Sequence, residues 1–540
     1  MKVIAFVTAL CLGLVIAGRP LESAGGTNVL TYHNDNARTG QNLTETVLAP
    51  SMMSYLLFGK IGLLVTDGKV DAQPLLLSGV AIPGVGTRNV LYVATEHDSV
   101  YAFDSDSGAL LWQISALGSG EVPSDGRNCS QVIPEIGITS TPVIDPTRGA
   151  HGVIYVVAMS KNGSGTYVHR LHALDVASGA EMFGGPKLIQ ASVAGSGAGS
   201  TGGTLPFDSK QYEERAALTL VNGTLITAWS SHCDIDPYTG WIMSYNPNTL
   251  SQTAVLNVTP NGSRGALWMA GAGPAADSAG NIYVLDGNGT FDTTLNAGGF
   301  PSQGNFGNAF LKIATSGLAV TDYFATFDTV AKSNADSDLG SGGALVLPDL
   351  LDASAQAHHL AVGAGKDAHM YIVNRDSMGR FNSASNAIYQ DVAGGLSGGV
   401  WSMPAYFNGT LYYGASGDNL KAFKFTNARL SSTAASKSPR TFSYPGSTPG
   451  ISASGTANGI VWAVENSSPA ILHAYDAADL SHELYNSSQA PGGRDAFGAG
   501  NKFITPTIVN GRVFVGTATG VAVFGGGPDA PTGLRKTPPQ

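Results

Sequence analysis

Val90-Leu91-Tyr92-Val93-Ala94-Thr95, a tight turn, then Val100-Tyr101-Ala102-Phe103-Asp104 and Ser107-Gly108 form the phrase that decides the fold, because the phrase returns. Val153-Ile154-Tyr155-Val156-Val157, with Leu171-His172-Ala173-Leu174-Asp175 and Ser178-Gly179, is a second copy. Both are runs of β-branched and aromatic residues bounded by turn residues, which is the signature of paired strands. A unit of this kind cannot bury its apolar faces alone. It must stack on its neighbours, so recurrence along a chain points to a repeat architecture.

Prolines set the period. Pro74, Pro142, Pro274, Pro404 and Pro506 each open a short strand, at intervals of 68, 132, 130 and 102 residues. The last three intervals each span two units. Unmarked openings fall between them at Ala217-Leu218-Thr219-Leu220, Gly343-Ala344-Leu345-Val346 and Ile451-Ser452-Ala453. Proline suits the first residue of an innermost strand, whose N–H side is free. The turns Asp104-Ser105-Asp106-Ser107-Gly108 and Asp175-Val176-Ala177-Ser178-Gly179 have Asp to cap the backbone and Gly to take positive φ. Trp112 and Phe183 follow, placed to pack between units. No long helical period occurs. The expectation is an all-β chain: a single β-propeller over residues 25–524, of eight four-stranded blades, with seven as the rival count. Leu30-Thr31-Tyr32 is expected to close the ring by completing the last blade.

Composition narrows the function classes. The chain has 540 residues, 70 of them glycine, with 13% charged residues and a net charge of −10. That balance, without any basic cluster, argues against a nucleic-acid partner. Met1-Lys2 precedes an apolar run from Val3 to Ala17, so residues 1–24 read as a secretory signal cleaved at about 17–24. No later run of 18 apolar residues follows, so the mature chain is expected to lack a transmembrane anchor and to be secreted or periplasmic. Cys129 and Cys233 remain, and an oxidising compartment favours one disulfide between them over two free thiols. Gly525-Gly526-Gly527-Pro528 begins a flexible tail over 525–540.

Tyr101-Ala102-Phe103-Asp104 with Ser107-Gly108 and Trp112 resembles the quinoprotein (PQQ-like repeat) propeller superfamily, over roughly residues 30–524. The chain looks most like exported PQQ-like repeat proteins and, more distantly, PQQ-dependent alcohol dehydrogenases. The latter comparison implies site residues. Ile282-Tyr283-Val284-Leu285-Asp286-Gly287-Asn288 is similar to the stretch that gives calcium an asparagine, which points to Asn288. Ser337-Asp338-Leu339-Gly340 is similar to the stretch carrying the catalytic base, without its tryptophan, and offers Asp338. Lys366-Asp367-Ala368-His369-Met370-Tyr371 matches the hairpin whose basic residue contacts the quinone, and Trp268 lies near the family's flat tryptophan floor. Asp286 and Asp292 flank Asn288 in an oxygen-rich run that offers further metal donors.

The departures matter equally. No acid stands in the hairpin Lys161 to Thr166, where the resemblance places a calcium-binding glutamate. The family's adjacent cysteine pair is missing, and no Cys-x-x-Cys-His haem motif occurs. His232-Cys233-Asp234 has metal-binding side chains at a spacing unlike zinc sites. Trp241, Trp401 and Trp462 are expected to line the channel or pack between blades. The leading expectation is thus an exported binding scaffold with a partly retained cofactor site, whose ligand is a protein, a glycan or a small molecule. The alternative is a divergent oxidoreductase dependent on PQQ and calcium, acting on alcohols or sugars.

Overall fold

In the computed structural model, residues 26–527 are described, and they form an eight-bladed propeller. The expected leader, and all of the tail beyond Gly527, lie outside the described residues. Blades 1 to 4 run from innermost strands Leu75–Ile82, Val143–Asp145, Thr219–Val221 and Ala275–Ala276 to outermost strands Leu110–Ser115, Lys187–Leu188, Gln252–Asn257 and Ala319–Phe324. Blades 5 to 7 run from Leu345–Val346, Ala405–Phe407 and Gly450–Ser454 to Gln390–Val392, Ser436–Phe442 and Glu483–Asn486. Each opening proline or its unmarked equivalent begins an innermost strand. The opening of blade 7 is Pro449, just before Gly450.

Blade 8 closes the ring, and here the sequence expectation is corrected. Its three C-terminal strands, Thr507–Val509, Arg512–Thr517 and Gly520–Gly526, are completed by Phe58–Val65, not by Leu30-Thr31-Tyr32. The closing strand must span the whole outer edge, from Phe58 opposite Gly526 to Val65 opposite Gly520. Three residues cannot cover that edge. This closing strand comes just before blade 1 in the chain, so it ties the last blade covalently to the first.

Residues 29–42 instead form a strap across the axis. Val29 exchanges two backbone hydrogen bonds with Leu76 of blade 1, at 2.8 and 2.9 Å. Ile144, Ala276, Val346, Tyr406 and Ile451, from blades 2, 4, 5, 6 and 7, donate N–H to the carbonyls of Leu30, Asn36, Ala37, Thr39 and Gly40. The side-chain amides of Asn36 and Asn42 donate to Leu220 and Ile508, in blades 3 and 8. One short segment therefore bonds to all eight innermost strands. Arg38 lies buried at its centre and donates to Thr31 Oγ1, Tyr32 O, Thr219 Oγ1 and Pro274 O.

Between blades the contacts are apolar sheet faces. Trp229, Trp241 and Trp462 are among the largest fully buried side chains, so Trp241 and Trp462 pack between strands as one of the two expectations had it. Trp112 packs on the turn of the following blade. Its indole donates to Val176 O at 3.1 Å, and a Cβ on Gly179 would lie 2.8 Å from its ring. Glycine at φ +71° is what that turn requires.

Candidate active site

The segments entering the innermost strands converge at the end of the axis opposite the strap. The residue four before the first residue of each innermost strand is Asp71, Thr139, Arg215, Gly271, Ser341, Trp401, Gly446 or Phe503. All eight line connected hollows at this end. A cavity of about 230 Å³ forms the mouth. Beneath it a chamber of about 20 Å³, bounded below by Tyr32 of the strap, has room for about one water.

Four sequence-derived residues meet in the mouth: Trp268, Asn288, Asp338 and Lys366. Trp268 precedes a short turn in which Met269, Ala270 and Gly271 all have positive φ, at 42°, 53° and 85°. Two consecutive non-glycine residues there hold strain of roughly 1–3 kcal/mol each, a cost seen where geometry serves a site. The turn is held by Met269 N–H on Gly340 O at 2.8 Å. The Trp268 ring lies against Gly287, where a Cβ would come within 2.9 Å of Cδ1.

Asp338 is 1% exposed, and Lys366 Nζ stands 2.8 Å from its Oδ1. Burial pushes the Asp338 carboxyl above its ordinary value, and Lys366 only partly opposes this. Burial works against the Lys366 charge, yet Asp338 and Asp336 together hold its pKa above the usual lysine value. Asn288, 7% exposed, gives its Nδ2 hydrogen to Asp336 Oδ1 at 2.5 Å. Its own Oδ1 is buried without a hydrogen-bond partner.

Asp286 and Asp292 do not join this cavity. Asp286 is wholly buried, with Oδ1 accepting from Ala309 N, and burial followed by the nearby Asp338 charge raises its pKa strongly. Asp292 accepts from Gln303 N, Asn305 N and Asn305 Nδ2 and so organises its own loop. The oxygen-rich run is therefore not one metal cage. His232-Cys233-Asp234 is not one either, since Cys233 is bonded to Cys129 and Asp234 accepts from Tyr238 at 2.7 Å. Among the described residues, no three His, Cys, Asp or Glu side chains converge to hold a metal by themselves.

The disulfide expected from the two cysteines is present, and both half-cystines line the mouth. It ties the loop before blade 2 to a hairpin of blade 3. Apart from Trp401, which lines the channel as one of its two expectations had it, sequence reasoning missed the rest of the wall. Glu213 faces the mouth with Arg215 Nη1 at 3.5 Å and His232 Nδ1 at 3.6 Å. The hairpin searched for an acid sits elsewhere, its Lys161 paired with Asp125 at 2.6 Å. Trp401, Tyr444 and Phe503 form an aromatic arc, with ring centroids 5.3 and 6.3 Å apart. Arg215 lies 4.3 Å over the Phe503 ring and Lys502 5.7 Å from that of Tyr444. Burial lowers the Lys502 pKa, with Arg215 and Lys69 adding to it. The signal that finds the arc is positional: count back four to six residues from the first residue of each innermost strand.

Comparison with solved structures places this architecture. The chain superposes on the quinohemoprotein alcohol dehydrogenase of Comamonas testosteroni with a TM-score of 0.59 at 13% identity, covering 95% of this chain and 82% of that one. It is similar to the quinohemoprotein alcohol dehydrogenase ADHIIG of Pseudomonas putida HK5, with a TM-score of 0.61 at 14% identity, over 95% and 82% of the chains. The fold is the propeller of these two structures. A europium-containing methanol dehydrogenase shares the fold at a TM-score of 0.56 and 12% identity, over 93% of this chain and 98% of that one. No family model and no curated protein matches the sequence. The likeness is thus one of fold. Among the described residues no helix is long and apolar enough to cross a membrane.

Proposed function

We propose that this quinoprotein propeller is a PQQ-dependent oxidoreductase acting on an alcohol or sugar hydroxyl, with a hard cation such as calcium as second cofactor. The observation that carries the reading is convergence. Trp268, Asn288, Asp338 and Lys366 share one cavity, and the buried Asn288 Oδ1 there has no partner.

The residues present fit both groups. Asn288 Oδ1 and the Glu213 carboxylate are oxygen donors of the kind calcium takes. They are too few to enclose an ion alone, so water completes its shell in the free protein and oxygens of the acidic ligand take those places when both are bound. Lys366, Arg215 and Lys502 offer positive charge to ligand carboxylates, and Trp268 offers a flat face. When bound, the quinone would supply a two-electron acceptor and the cation a Lewis acid beside it. Asp338 would accept the proton of the substrate hydroxyl at its carboxylate. The arc of Trp401, Tyr444 and Phe503 shields the reacting groups from water. With no haem motif in the sequence, electrons pass to an external acceptor. A passive scaffold has no use for a buried base beside a cation, so the binding-scaffold expectation gives way. The disulfide supports placing the protein in an oxidising compartment, secreted or periplasmic.

Calorimetric titration of the purified protein with PQQ, with and without calcium, tests this. The expected result is tight binding that requires calcium, followed by dye-linked oxidation of alcohols or aldoses. Absence of binding under both conditions overturns the reading.

A further inference from the structure

Asp336 belongs to no expectation above, yet it touches two of the four convergent residues. Its Oδ1 accepts from Asn288 Nδ2 at 2.5 Å and from Lys366 Nζ, while Lys366 also holds Asp338. These partners are well enclosed, whereas the Asp336 side chain is 66% exposed. It follows the helix Thr329–Asn334 and adopts a left-handed backbone, φ 56°.

That helix is pinned on both sides of the site. Ser333 Oγ bonds to both the N–H and the carbonyl of Gly289, next to Asn288. Lys332 Nζ reaches Asp367 and Tyr371 Oη, both at 2.8 Å, on the Lys366 hairpin. Thr329 and Asn308 exchange side-chain hydrogen bonds with each other's carbonyls. The helix is a bracket between the turns of blades 4 and 5, and Asp336 is its tip.

An exposed carboxylate of this kind adds little to stability. Its consequence is orientation. A side-chain amide has a donor end and an acceptor end. By taking the Nδ2 hydrogen, Asp336 leaves Oδ1, buried and without a partner, as the free end of an amide that lines the cavity. Without that acceptor the amide is free to turn its NH₂ inward, where it has no lone pair to offer a cation.

We propose that Asp336 is a positioning residue: it aims Asn288 Oδ1 into the mouth and so sets the affinity of this site for a hard, oxygen-seeking cation. The inference rests on the oxidoreductase reading for its purpose but is tested apart from it. Terbium(III) is the probe, titrated into purified protein without quinone and read by luminescence sensitised through Trp268. Wild type should bind, and N288A should abolish the signal. D336A should weaken binding by about tenfold or more, the usual cost of losing an outer-shell partner, with Tm changed by less than about 2 °C. D336N keeps an acceptor oxygen without charge and should hold affinity within about threefold of wild type.

Wild-type binding unchanged in D336A overturns the proposal, as does absence of terbium binding in wild type. Loss in D336N equal to that in D336A also overturns it, because charge or direct ligation would then be the cause. PQQ binding by wild type with an indifferent D336A sinks this inference alone. Terbium binding with the expected variant pattern but no PQQ binding sinks the oxidoreductase reading alone.

Discussion

Asp338 shows how one side chain acquires a role from its surroundings. Burial favours its protonated form, and the Lys366 ammonium opposes that incompletely. A base must be deprotonated to act, and a raised pKa moves that condition to higher pH. Dye-linked kcat/KM is therefore expected to rise with pH through a value above the ordinary aspartate range, near 4. D338N should lower kcat by about 10²–10⁴ while leaving PQQ affinity within a few-fold. A flat pH profile, or full turnover in the variant, would show that another group takes the proton. Asp338, Asn288, Lys366 and Trp268 were legible in the sequence because each sits in a short local phrase. Glu213, Arg215, Tyr444 and Phe503 were not, since they come from separate units with no phrase of their own, and Trp401 was named only as lining the channel or packing between blades. Only the ring brings them together.

At the scale of the element, blade 7 carries a buried ion cluster inside its sheet. His473 is 0% exposed and lies 2.6 Å from Glu483 and 3.3 Å from Glu465. Burial works against its charge, but the hydrogen bonds to the two glutamates outweigh it and the pKa is raised. A raised histidine contributes stability fully below its unfolded value near 6.5, and loses it as pH climbs through the folded value. Glu465 and Glu483 are lowered, Glu465 first by its bond to His473, Glu483 by that bond against the pull of burial. Their contribution is present above the unfolded glutamate value and lost as pH falls through the folded one. Tm should peak between these limits. H473Q should flatten that peak and cost about 3 kcal/mol near pH 6. A variant with an unchanged Tm profile would refute the coupling. Nothing in the local sequence advertised this cluster, because its three members lie on adjacent strands whose register the sequence alone does not fix. The turns were the reverse case. Asp104 and Asp175 cap their own backbones as read, each by Oδ1 to the N–H two residues on.

For the whole molecule, two N-terminal segments do different work. Phe58–Val65 closes the ring and residues 29–42 strap the axis. A chain starting at Leu57 keeps the closing strand and loses the strap. It should remain folded by circular dichroism but melt several degrees lower, by about the sum of the lost hydrogen bonds and burial. A chain starting at Asp67 leaves blade 8 one strand short and should not yield a monodisperse monomer in size-exclusion chromatography. Equal behaviour of the two truncations would show that closure and strap are not separable. The blade count was legible because proline stands just before six of the eight innermost strands. The closing strand was not, because Phe58-Gly59-Lys60-Ile61-Gly62-Leu63-Leu64-Val65 lacks an opening proline and pairs with the far end of the chain.

The strap also has a consequence in time. Its hydrogen bonds run to strands from residue 76 to residue 508, so its binding site exists only once every blade has been made. Contacts of such sequence separation are slow to form, since loop closure must precede any reward. The first of the described residues to leave the ribosome are thus among the last to settle, and the axis stays open at that end until synthesis is nearly complete. Folding should then show a late kinetic phase absent from the Leu57 truncation, the step in which the beginning of the chain is drawn into a ring that its end has just completed.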